Sequence, residues 1–138
     1  MPGIQDTPGT LYAHAYIPGQ ATAGSTDSWP VFVAPGAVTI TSIDWTPAAA
    51  VTGDNSNYYS AAFQNKGQAG AGTTAVTSTK AYTTGTDSVA HDTEAFTLSA
   101  TTANLNLASG DVLAMVRTIT GTGLAQPDGI VRIGYKYR

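Results

Sequence analysis

The closing stretch Ile130-Val131-Arg132-Ile133-Gly134-Tyr135-Lys136-Tyr137-Arg138 decides the fold class. Val131, Ile133, Tyr135 and Tyr137 alternate with Ile130, Arg132, Gly134, Lys136 and Arg138. A period of two marks a strand with one face on a core, because successive strand side chains point to opposite faces. Pro127-Asp128-Gly129 just before it supplies a turn. The same alternation recurs upstream. In 37–46, Val38 and Ile40 share one parity while Ile43 and Trp45 take the other, which predicts a bulge or bend near Ser42 and places Trp45 in the core. Residues 30–34, 58–65, 74–83, 94–99, 104–108 and 111–120 read as further strands, separated by turns such as Thr52-Gly53-Asp54-Asn55. No segment carries apolar residues at helical spacing over ten or more positions.

About eight short strands in one small domain favour an all-β antiparallel sandwich of jelly-roll type, with an immunoglobulin-like sandwich as the alternative. Residues 1–29 differ, since Pro2, Gly3, Pro8, Gly9, Pro18, Gly19 and Gly24 break them up. The expected division is an extended N-terminal arm over 1–29 and a jelly-roll domain over 30–138. Within the arm, Leu11 to Ile17 is expected to be ordered, because its two tyrosines and two large aliphatics are costly to leave in water. Residues 1–9 stay open between an ordered arm and a tail.

The composition narrows function by exclusion. The 138 residues include 22 alanines, 22 threonines and 15 glycines, while charged residues make up only 11% against about a quarter in ordinary soluble domains. A net charge of −3 leaves no basic surface for a phosphate backbone, so no nucleic-acid partner is expected. No apolar run reaches membrane-spanning length, so no membrane partner is expected. With no cysteine, stability must come from packing or from association with other chains.

Catalytic constellations are sparse. His91-Asp92 with Glu94 is the one place where an imidazole and carboxylates adjoin, and it reads as a polar loop between strands. Asp54-Asn55-Ser56-Asn57 lacks the downstream glycine and glutamate of a calcium loop and reads as an Asx-rich turn. The glycines between Lys66 and Gly72 have no Gly-Lys-Ser/Thr after them and form a loop, not a phosphate cradle. The chain is therefore expected to be non-enzymatic, with no catalytic, cofactor-binding or metal-binding residues and no cofactor. Trp29, Trp45, Tyr58 and Tyr59 offer the other class of function, a stacking platform for sugars.

Beyond these generic features lies a specific run. Leu98-Ser99-Ala100 is followed by Leu105-Asn106-Leu107-Ala108-Ser109-Gly110-Asp111-Val112-Leu113, then Gly121-Thr122-Gly123-Leu124, Pro127-Asp128-Gly129 and Val131-Arg132-Ile133. With Val38-Thr39-Ile40-Thr41-Ser42-Ile43 and Asn65-Lys66-Gly67, this pattern over 30–138 resembles the jelly-roll decoration, or cement, proteins on the heads of tailed bacteriophages. The resemblance implies a non-enzymatic structural virion protein, made in the host cytoplasm and bound to the outer surface of the assembled capsid. It also implies a homotrimer, with the major capsid protein as its other partner. The arm side chains Leu11, Tyr12, Tyr16, Ile17 and Trp29 are then expected to contact the capsid or a neighbour. Tyr135, Tyr137 and Arg138 are the candidates for the subunit interface. The competing expectation is a carbohydrate- or receptor-binding β-sandwich module of a head fibre or surface protein.

Overall fold

Alternating apolar residues become the inner faces of two antiparallel sheets, and the turn residues between them become the sandwich ends. The computed structural model describes residues 9–20 and 26–138. Its strands are β1 (Leu11–Ile17), β2 (Asp27–Val33), β3 (Val38–Pro47), β4 (Tyr58–Asn65), β5 (Thr74–Ala75), β6 (Lys80–Ala81), β7 (Glu94–Ala95), β8 (Asn106–Leu107), β9 (Val112–Thr120) and β10 (Gly129–Tyr137). One sheet runs β1-β10-β3-β7, with β8 also on β3; the other runs β2-β9-β4-β5, with β6 also on β4. All pairings between these strands are antiparallel. If the split edges β5/β6 and β7/β8 each count as one position, the chain visits the sheets in the double Greek-key order of a jelly roll. The all-β sandwich expected from the alternation is the observed fold.

The sheets enclose a core of Val38, Ile40, Ile43 and Trp45 from β3, Val131 and Ile133 from β10, Ala61 and Phe63 from β4, and Leu113 and Met115 from β9. Phe96 closes onto Phe63 edge-to-face, at 5.0 Å and 83°. The change of parity in β3 is a bulge: Gly134 faces Ser42 and Tyr135 faces Ile40, so Thr41 is the extra residue. This bulge turns all four apolar β3 side chains inward. A second cluster holds Val51, Tyr59 and Tyr82 with Ile119 and Leu124 against it. The buried Arg117 guanidinium lies 4.9 Å from the Tyr59 ring and donates to the Leu124 carbonyl.

Several boundaries move. The arm is not separate from the domain: Leu11–Ile17 pairs residue for residue with β10 as the first strand of the jelly roll, and the division at residue 29 falls inside β2. Prolines and glycines flank β1 without entering it, so the strand forms between them. Of the expected arm, residues 1–8 and 21–25 lie outside the described residues. The single strand expected over 74–83 is two short ladders. Between them, the Phe63 N–H donates to the Thr77 hydroxyl at 2.9 Å, so a side chain takes the place of a backbone acceptor. The strand expected over 94–99 shortens to β7, and that over 104–108 gives way to a 3-10 turn, Thr102–Leu105, before β8.

Candidate functional site

Strand alternation divides β1 cleanly. Ala13 and Ala15 pack toward the core and Ile17 is 1% exposed, while Tyr12, His14 and Tyr16 point outward. On the neighbouring strand, Tyr12 faces Gly134, His14 faces Arg132 and Tyr16 faces Ile130. One strand further, these positions meet Ser42, Asp44 and Thr46. The outer face of this sheet therefore carries Tyr12 at 54%, Tyr16 at 64% and Ile130 at 49% exposure, with Leu11 exposed at the strand start.

Each exposed aromatic is held. The Arg132 guanidinium lies 5.2 Å from the Tyr12 ring centroid and binds the Asp44 carboxylate through Nη2 at 2.7 Å. The Asp44 hydrogen bond, reinforced by its charge, raises the Arg132 pKa. The Tyr16 hydroxyl donates to Asp128 at 2.7 Å, and Asp128 also accepts from the Gly19 N–H. These two bonds hold the Asp128 carboxyl below its ordinary pKa, and the same Tyr16–Asp128 bond raises that of the tyrosine. With Arg132 neutralised by Asp44, the face is aromatic, aliphatic and hydroxylic, with little net charge.

The remaining expected contact residues fall elsewhere. Ile17 is a core residue, and its parity matches Ala13 and Ala15, not the tyrosines. Trp29, in β2, is partly buried against the main core from the other sheet. Tyr135 is half-buried with its ring 5.0 Å from Phe32, so its packing is within the sandwich. Tyr137 is exposed and meets Tyr135 edge-on at 6.1 Å. Arg138 turns back on its own chain, donating to the carbonyls of Val38 and Leu107 at 3.2 Å each.

The other motifs resolve into structural parts. Trp45 and Tyr59 are buried, so the four-aromatic sugar platform does not exist as a surface. Burial raises the Tyr59 and Tyr82 pKa values strongly, and both phenols stay neutral. His91 sits in a turn at φ 63°, its N–H bonded to the Pro47 carbonyl. Asp54 accepts from the N–H groups of Asn57 and Ser56, which lowers its pKa and makes the segment an Asx turn. Glu94 turns away from His91 to take Lys80 at 2.7 Å and the Tyr82 hydroxyl at 2.9 Å. Beside this pair, Ser78, Thr79, Lys80, Ala95, Phe96 and Thr97 line a groove of about 270 Å³. Neither the Lys80–Glu94 pair nor the buried Arg117 is legible in sequence, because each joins strands from distant segments. Among the described residues, no three His, Asp or Glu side chains gather to hold a metal ion.

No protein-family model matches the sequence, and no curated protein does. Among solved structures, that of infectious bursal disease virus Gx strain is similar over 91% of this chain and 32% of that chain, at 14% identity and a TM-score of 0.43. The chain thus spans about a third of the length of that viral chain. The jelly-roll assignment rests on strand order, not on this likeness.

Proposed function

We propose that this chain is a non-enzymatic structural protein of a virion, a decoration or cement protein that attaches to the outer surface of an assembled phage capsid. The observation that carries the reading is the outer face of the β1-β10-β3 sheet. Tyr12, Tyr16 and Ile130 are exposed together there on a rigid jelly roll. The turn-and-strand pattern resembling cement proteins over 30–138 supports it. Aromatic anchors with few charges suit a contact driven by apolar burial, each such side chain contributing on the order of 1.5 to 3 kcal/mol. A protein that binds the assembled lattice and not its separated subunits stabilises the lattice by linkage. Attachment as a trimer to the major capsid protein would add avidity from three modest contacts.

The test is a sedimentation assay with undecorated capsids of the phage to which the proposal assigns this chain. Wild-type protein is expected to co-sediment at saturating occupancy, and still to do so in about 0.5 M salt, where screening is complete within a few Å. The exposed-face variant Tyr12→Ser/Tyr16→Ser is expected to lose most of its occupancy while still folding, as its circular dichroism would show. Absence of binding by the wild type, or binding that collapses in high salt, overturns the reading. Tyrosine-dependent binding to glycans with none to capsids would move the assignment to the carbohydrate-binding class.

A further inference from the structure

We propose that the free edge of β1 is a self-association site, at which the β1 strand of a second copy pairs antiparallel about a two-fold axis through His14. Four strand edges border the two sheets, and three carry the usual defences against edge-to-edge pairing. β2 has Asp27, Pro30 and a register shift between Pro30 and Phe32. The edges formed by β5 and β6 and by β7 and β8 are split into two-residue pieces. β1 is different. It runs seven residues in unbroken register with β10 and contains no proline, glycine or charged carboxylate, lysine or arginine. Among the described residues, the backbone of β1 bonds to β10 alone. Its tyrosines lean inward over the sheet, Tyr12 onto Arg132 and Tyr16 onto Asp128, and leave the outer edge uncovered among the described residues.

What identifies the occupant is the order of residues along the strand. Leu-Tyr-Ala-His-Ala-Tyr-Ile reads alike in both directions about His14, with leucine and isoleucine exchanging places. An antiparallel second copy centred there would set Tyr12 opposite Tyr16, Ala13 opposite Ala15, Leu11 opposite Ile17 and His14 opposite itself. Aromatic meets aromatic and small meets small on each face, which is the pairing that stabilises antiparallel ladders. A two-fold contact requires such self-complementarity of one patch, and an unrelated partner strand would not. The result is one sheet continuous through two molecules. The inference concerns the strand edge, not the exposed face, and does not depend on attachment to a capsid.

The lack of cysteine in the chain makes the register directly testable in the full-length protein. Directly opposed residues in an antiparallel pair have Cα atoms about 4.5 to 5.5 Å apart, within disulfide reach. Under oxidised glutathione, His14→Cys is expected to link with itself and double the 14.1 kDa chain mass. Tyr12→Cys alone is expected to stay single, because its own copy lies about 13 Å away along the strand. Mixed with Tyr16→Cys, it is expected to link. All three positions are exposed, so the fold tolerates the changes. Failure of His14→Cys to link overturns the proposal, and so does linking of Tyr12→Cys alone to the same extent as His14→Cys.

Discussion

Trp45 shows how much a single side chain can declare about itself. It shares parity with Ile43, follows a bulge, and lies fully buried, as local alternation implies. What alternation does not reveal is the cost of fitting so large a ring. Gly129 provides the room: a Cβ there would overlap the edge of the Trp45 ring and the Thr46 carbonyl oxygen. Overpacking of this kind typically costs about 1 to 3 kcal/mol. Gly129→Ala is therefore expected to lower the unfolding free energy by that amount, seen as a lower urea midpoint with an unchanged m-value, and an unchanged midpoint would show that the ring moves freely. Ile17 is the opposite case. Its apolar side chain in the arm suggests a contact residue, but its parity with Ala13 and Ala15 turns it into the core.

Strands are defined by what holds them as much as by their own pattern. β1 is clasped at its C-terminal end, where Asp128 binds both the Tyr16 hydroxyl and the Gly19 N–H. The Asp128 carboxyl titrates below its ordinary value in the folded protein. Its contribution is thus present above the unfolded value of about 3.9 and is lost as pH falls through the folded value. Asp128→Ala is expected to melt below wild type at neutral pH, with the two melting curves converging in stronger acid. A gap that persists undiminished at low pH would mean the carboxylate is not the clasp. The split of the expected 74–83 strand has a similar origin, since Thr77 supplies Phe63 with an acceptor from its side chain. Sequence patterns mark such a segment as extended but do not tell which polar atom will close the gap.

At the scale of the molecule, β1 belongs to the sandwich. It completes the β1-β10-β3-β7 sheet and delivers Ile17 to the core, so it is not a detachable arm. Deleting residues 1–17 is expected to abolish the cooperative unfolding transition, followed by circular dichroism; a truncated chain with a near-native melting temperature would show that the strand is dispensable. The sequence by itself determined the all-β class, the strands with long clean alternation, the bulge in β3 and the burial of Trp45. Each follows from the period-two geometry of a strand and from turn residues close by in the chain. It did not determine that β1 lies against β10, that Lys80 meets Glu94, that Arg117 lies on Tyr59, or which aromatic residues remain outside. Those relations join positions far apart along the chain. Only the closing of two sheets over one core decides them, because each side chain's environment is then set by strands that its own neighbours do not encode.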